Sequence, residues 1–265
     1  MNKKWKILMA TTMVFGMSAL AAGCGSSENS STGGGTSDNA AVEYKVASDA
    51  SYAPFEKMDG DKIVGFDMDV LNAAAEAGGF KVTYKNTPWE GIFLTVQNGD
   101  ADIVASAVSI TEERKKSLDF SDPYFEATQM IVSPKGKSIK SIAELKDKKI
   151  AVQNGTTGDS VVSDAFGKDN SNIKRFENMP LALLELKNGN VDAAVGDNGV
   201  VLEYVKNNGA GDFETAVDTS FEKENYGFAV KKGNTEVVNK LNAGIKKIKE
   251  NGKLDEINKK YGFQK

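Results

Sequence analysis

The chain has 265 residues, 40% of them hydrophobic and 26% charged, which suits a globular body of one or two domains and excludes a disordered or collagen-like chain. It contains no His and one Cys, so imidazole bases, Ser-His and Cys-His nucleophile pairs, most zinc sites and any intramolecular disulfide are ruled out. Any chemistry rests on carboxylates, Lys, Arg, Tyr or hydroxyls, and no cofactor or metal is expected.

The N-terminus reads as an address. Lys3, Lys4 and Lys6 precede the uncharged apolar stretch 7–22, which is short for a membrane span and has the form of a secretory leader. It ends in Leu20-Ala21-Ala22-Gly23-Cys24, which resembles the lipobox of bacterial lipoproteins. In that motif cleavage leaves the Cys first and its thiol carries a diacylglycerol. The resemblance implies that 1–23 is a signal peptide, that Cys24 is lipidated, and that the protein is anchored to the outer face of the bacterial cytoplasmic membrane. Residues 25–39 are mostly Gly, Ser, Thr and Asn, so 24–40 is expected to be a flexible tether. Removing 1–23 leaves 30 basic residues against 37 acidic ones, a net of −7. That balance disfavours nucleic acid as a partner.

From Tyr44 onward, short β-branched or apolar runs alternate with helically spaced segments, the pattern of an α/β fold. Strands are predicted over 44–48, 81–86, 101–107, 129–132, 149–153, 191–195 and 227–230. A helix is predicted over 67–77, with Val70, Leu71, Ala74 and Ala75 on one face, Asp67 as N-cap and Gly78-Gly79 as the stop. Ser141 with Glu144 matches a capping box. Residues 235–250 place Val238, Leu241, Ile245 and Ile248 at helical spacing. The segments 98–104 and 188–195 echo each other, each ending a helix at Gly and starting a strand beside an Asp. Two similar lobes would produce this echo, and so would two ordinary helix-Gly-strand turns.

Polar groups follow the predicted strands. Asp49 and Tyr52 come after the first, Ser109 and Arg114 after 101–107, Thr156 and Thr157 after 149–153, and Asp197 after 191–195. In open α/β sheets ligands sit at the carboxyl ends of strands. A free amino acid requires acceptors and an anion for its ammonium, and a bidentate Arg with helix N-terminal amides for its carboxylate. Taken singly, Arg114 fits a solvated helix face, Tyr52 and Trp89 fit core aromatics, and Asp197 fits a cap.

Together, 49–55, 64–67, 87–91, 109–114, 119–124 and 154–158 resemble the polar amino-acid-binding proteins of ABC importers (solute-binding protein family 3) over about 42–263. The resemblance implies a two-lobed periplasmic-binding-protein fold of type II, with two hinge strands and the ligand in the interlobe cleft. Lobe 1 would comprise 41–127 and 227–265, and lobe 2 would comprise 128–226. Carried over by position, Arg114, the Thr157 amide and Ser109 would hold the α-carboxylate. Asp197, Ser109 and the Ala107 carbonyl would hold the α-ammonium. Tyr52 and Trp89 would wall the side chain, and Asp49 would reach its end. Gln153 stands where some glutamine binders have Lys.

Asp49, Asp197 and Arg114 sum to −1, so a ligand with one extra positive charge would neutralise the pocket. A cationic tail between Tyr52 and Trp89 would also gain cation–π attraction. A basic amino acid, arginine or lysine, is therefore favoured over glutamine, provided that neither Glu56 nor Glu90 faces the cleft. The expected protein is a monomeric, non-enzymatic receptor that delivers its ligand to membrane permease subunits. The alternatives are a binder of glutamine or another polar amino acid, and a dehydratase-like enzyme on the same fold.

Overall fold

The computed structural model describes residues 41–263. The predicted signal peptide, Cys24 and the tether lie outside the described residues.

The chain begins with β1 (Glu43–Ser48), then a small antiparallel sheet of β2 (Ser51–Tyr52), β3 (Glu56–Asp59) and β4 (Lys62–Val64). Next come α1 (Phe66–Gly78), β5 (Lys81–Asn86), α2 (Ile92–Asn98), β6 (Ile103–Val104), the single turn α3 (Glu112–Lys115) and β7 (Leu118–Phe120). β5 and β6 flank β1, both parallel to it. A second unit has the same form. It starts from the long β8 (Phe125–Pro134) and continues through β9 (Ile150–Gln153), α4 (Thr157–Phe166), β10 (Ile173–Phe176), α5 (Met179–Lys187) and β11 (Ala193–Asp197). Here β10 and β11 flank β9, again parallel.

The 98–104 and 188–195 echo thus marks the third parallel strand of each unit, entered through left-handed Gly99 and Gly189. Two equivalent βαβαβ units, and not turn chemistry alone, account for it. The remaining elements are α6 (Asn198–Asn208), β12 (Phe213–Ala216), β13 (Lys223–Tyr226), β14 (Ala229–Lys231), α7 (Thr235–Glu250) and α8 (Lys253–Tyr261).

The first sheet has the order β5-β1-β6-β14-β7 and the second β10-β9-β11-β8-β12, with β13 paired to β8. β8 and β13 run antiparallel between them, with Phe125 opposite Tyr226 and Ala127 opposite Glu224. β14 then rejoins the first sheet beside β6. The loop after β6 is stitched to the same crossing: Gly227 N–H donates to the Val108 carbonyl at 3.0 Å, and Ile110 N–H to the Asn225 carbonyl at 2.8 Å.

α1 buries Phe66, Met68, Val70, Leu71, Ala74 and Ala75, while α7 buries Val237, Leu241, Ile245 and Ile248. Burying one such large aliphatic or aromatic side chain contributes roughly 1.5–3 kcal/mol. The two helices meet closely at Gly244, where an added Cβ would stand 2.1 Å from the Ala74 carbonyl oxygen. The predicted stop at Gly78-Gly79 is present, with Gly79 left-handed at the C-cap.

The strand expected over 101–107 shrinks to Ile103–Val104, because the chain turns at Ala107, and two expected caps change. Asp67 does not cap α1, whose N-cap is Gly65. Asp67 is instead fully buried, and its Oδ2 accepts from the Ala107 amide at 2.8 Å and the Tyr124 hydroxyl at 2.7 Å. The Ser141 hydroxyl donates to the Glu144 carboxylate at 3.0 Å and does not cap the backbone, and the segment forms a 3-10 turn, Ile142–Leu145.

Candidate functional site

One cavity lies at the carboxyl ends of the parallel strands of both sheets, lined by Asp49, Tyr52, Trp89, Ser106, Ala107, Ser109, Arg114, Gln153, Thr156, Thr157 and Asp197. All nine residues singled out from the sequence line it. Ser106 and Thr156 join them.

From the first unit, Asp49 follows β1. Burial raises the pKa of its carboxyl, against hydrogen bonds from Ser51 and the Trp89 amide. Ala107 turns the chain after β6 at φ 46°, a left-handed conformation that is strained for a residue with a Cβ. The Asp67 carboxylate holds its amide there. This local demand explains why Asp67 is drawn into the interior.

Arg114 sits on α3, whose N-cap Thr111 accepts from the Arg114 amide at 3.2 Å. Its guanidinium lies 5.3 Å from the ring centroids of both Trp89 and Phe93, and donates to the Ser109 carbonyl at 2.9 Å and the Gly155 carbonyl at 3.4 Å. Trp89 therefore packs on Arg114 as well as lining the cavity. A guanidinium held on aromatic faces keeps little rotamer freedom, so less is lost when it pairs with a carboxylate.

From the second unit, Gln153 ends β9. Its Nε2 donates to the Glu177 carbonyl at 3.3 Å, and its buried Oε1 has no protein partner. Thr156 caps α4 through the Asp159 amide at 3.3 Å, which directs that helix N-terminus, with Thr157, at the cavity. Asp197 ends β11 and accepts from Gln129 Nε2 at 2.6 Å and from the Tyr226 hydroxyl. Burial and then the neighbouring Glu224 push its pKa up to about 6, while hydrogen bonds from Tyr226, Gln129 and Tyr52 oppose the rise.

Neither glutamate left open by the sequence lines the cavity. Glu90 is exposed. Glu56 is fully buried, accepts from the Ser106 hydroxyl at 2.9 Å, and is held well above the usual carboxyl range by burial and by Asp67. Burial therefore favours its neutral form, and its carboxyl is not among the groups that line the cavity. The acid that sequence reasoning missed is Glu224, which accepts from Ser109 Oγ at 2.5 Å, Thr157 Oγ1 at 2.7 Å and Gln129 Nε2 at 2.9 Å. No local signal marks it, because Lys-Glu-Asn-Tyr reads as an exposed polar stretch.

The model of the bacterial extracellular solute-binding proteins, family 3, matches residues 44–265. A probable histidine-binding protein of Neisseria gonorrhoeae is 46% identical over 251 residues, covering 92% of this chain and 94% of that protein. A putative ABC transporter arginine-binding protein 2 of Escherichia coli (strain K12) is 34% identical over 234 residues, covering 86% and 94%. Among solved structures, the arginine-, lysine-, histidine-binding protein ArtJ from Geobacillus stearothermophilus superposes with a TM-score of 0.80 at 42% identity, covering 84% of this chain and 96% of that one.

Proposed function

The chain belongs to the bacterial extracellular solute-binding proteins, family 3, and from that premise we propose that it is the extracytoplasmic receptor of an ABC importer, capturing arginine or lysine for delivery to the permease. The two lobes are taken as 41–127 with 227–265, and 128–226, closing about β8 and β13. Arg114 and the amides at the start of α4 receive the α-carboxylate, and Asp197, Ser109 and the Ala107 carbonyl receive the α-ammonium.

The observation that supports the choice of a basic ligand is the acceptor content of the cavity lining, where Asp49 offers a carboxylate and Gln153 has a buried Oε1 without a partner. An unpaired buried acceptor is costly until a donor reaches it. A guanidinium or ammonium tail supplies donors to both groups, whereas an acidic tail would set charge against charge. With Glu224 behind the cavity, three carboxylates face one guanidinium, so the field favours a ligand of net positive charge more strongly than the sequence tally of −1 suggested.

Titrating the purified protein calorimetrically against the twenty amino acids is the direct test, and the tightest binding is expected for arginine or lysine. The Asp49→Asn variant sharpens it. Removing that charge leaves a desolvated cation with an amide partner, so arginine affinity should fall by about 2 kcal/mol, roughly 30-fold, while glutamine loses less. Equal losses would assign Asp49 to the ligand head group or to the loop.

The protein is read as a binder and not an enzyme, since the groups at the cavity form a clamp for a complete amino acid. Incubation should return the amino acid unconsumed. The lipid anchor rests on the lipobox resemblance at Cys24. Expressed in a bacterial host, Cys24→Ser should lose lipid and either leave the membrane fraction or keep its leader uncleaved. Membrane retention after full cleavage would remove this part of the reading.

A further inference from the structure

Glu224 stands behind the cavity lining, bonded to the lining residues Ser109 and Thr157, and has no role in the site as described above. It lies on β13, two residues from Tyr226, so both side chains leave the strand on the same face. Tyr226 reaches Asp197, and Glu224 reaches Ser109 in the loop after β6, Thr157 at the start of α4 and Gln129 on β8. Asp197 Oδ1 and Glu224 Oε1 both accept from the same nitrogen, Gln129 Nε2. Two carboxylates are thereby held side by side by one neutral amide, and every hydrogen bond that Glu224 accepts comes from a neutral donor.

Proton counting assigns these bonds a direction. A Ser or Thr hydroxyl has one proton to give and keeps lone pairs to accept with. Ser109 and Thr157 spend their protons on Glu224, and Thr157 Oγ1 also accepts from Gln129 Nε2 at 3.1 Å, so toward the cavity both oxygens can only accept, Ser109 with more lone-pair capacity left. An acceptor serves an ammonium and not a carboxylate. The α-carboxylate is left to Arg114 and backbone amides, and with Arg114 the one cation among the described residues near both Asp197 and Glu224, the two anions favour a second positive charge beside them.

We propose that Glu224 is a specificity-determining residue for the ligand's α-ammonium, holding the Ser109 and Thr157 hydroxyls as acceptors and adding a second negative charge beside Asp197. The inference rests on the amino-acid-binding reading and deepens it. It distinguishes Glu224 from a clasp that merely ties the sheets together, because a clasp is indifferent to whether the ligand carries an ammonium.

The test compares L-arginine with 5-guanidinopentanoate, which keeps the guanidinium, chain and carboxylate and lacks only the α-ammonium. Both are measured on the full mature protein, arginine by calorimetry and the analogue by displacement. In Glu224→Gln, arginine affinity is expected to fall tenfold or more. Affinity for the analogue is expected to stay within threefold or to rise, because its carboxylate then meets one anion fewer. Glu224→Asp, which retains the charge, should recover part of the arginine loss, and thermal melting checks that each variant is folded. An arginine affinity within threefold of wild type in folded Glu224→Gln would overturn the proposal, and so would equal fractional losses for the two ligands. Failure of the wild-type protein to bind any amino acid would instead strike the receptor reading, and the wild-type titration alone reveals it.

Discussion

Arg114→Ala is expected to lower amino-acid affinity by about 2 to 5 kcal/mol, roughly 30-fold to several-thousandfold, without unfolding the protein. The guanidinium is held over Trp89 and Phe93 and tied to the Ser109 carbonyl, so its free donors are aimed before a ligand arrives. Planar fork geometry lets Arg take both oxygens of a carboxylate through parallel bonds, which a single ammonium cannot copy. Arg114→Lys should therefore recover only a small part of the loss. Arg114 sits on a single helical turn with no buried residue in it, so the melting temperature should change little. Calorimetry and thermal melting on the same preparations check the two halves. Unchanged affinity in a folded variant would return Arg114 to the role of a surface cation held on aromatic rings.

Asp197→Asn should cost a similar amount, with two signatures that separate it from Asp49→Asn. The first is breadth: every amino acid has an α-ammonium, so arginine and glutamine should lose affinity alike. The second is pH. Burial and Glu224 raise the Asp197 pKa to about 6 in the unliganded protein, and an ammonium binds the ionised carboxylate. Above pH 6 the group is already charged and affinity is at its plateau. As pH falls through 6, the unliganded site takes up a proton that the ligand must expel, so affinity declines, approaching tenfold per pH unit. Asp197→Asn has no such proton, and its weaker binding should stay flat across this step. Titrations from pH 5 to 8 would show it, and a wild-type affinity unchanged over that range would separate Asp197 from the ammonium.

Much of the site was legible because its parts are local. Asp49, Arg114, Gln153, Thr157 and Asp197 each follow or end a parallel strand, and strand ends can be found from β-branched runs, Gly stops and hydroxyl caps. α7 was legible over its whole length for a related reason, since four apolar residues at helical spacing on an otherwise charged segment permit one arrangement. α8 and the small sheet of β2, β3 and β4 were not. Strands of two to four residues show no usable alternation, and their burial comes from neighbours. The prediction for β8 was too short, because its first residues, Phe125–Thr128, pair with β13 in the crossing and alternate by the needs of two contacts.

By itself, then, the sequence determined the α/β alternation, the absence of His chemistry and the residue types at each strand end. These follow from chain-local periodicity, capping and composition, while the repeat of the βαβαβ unit was decided by the strand pairing. Only the tertiary structure decided which acids count. Asp67 has the sequence signature of a cap, yet the left-handed turn at Ala107, forty residues away, draws it into the core. Glu56 stands beside the binding motif but is buried outside the cavity lining. Glu224 stands in an unremarkable polar tetrapeptide, 115 residues from Ser109 and 67 from Thr157. It reaches both because β13 crosses between the sheets beside β8, with Tyr226 in a β-bridge to Ser109. Backbone pairing between distant segments fixes such a position, and no pattern within either segment encodes it.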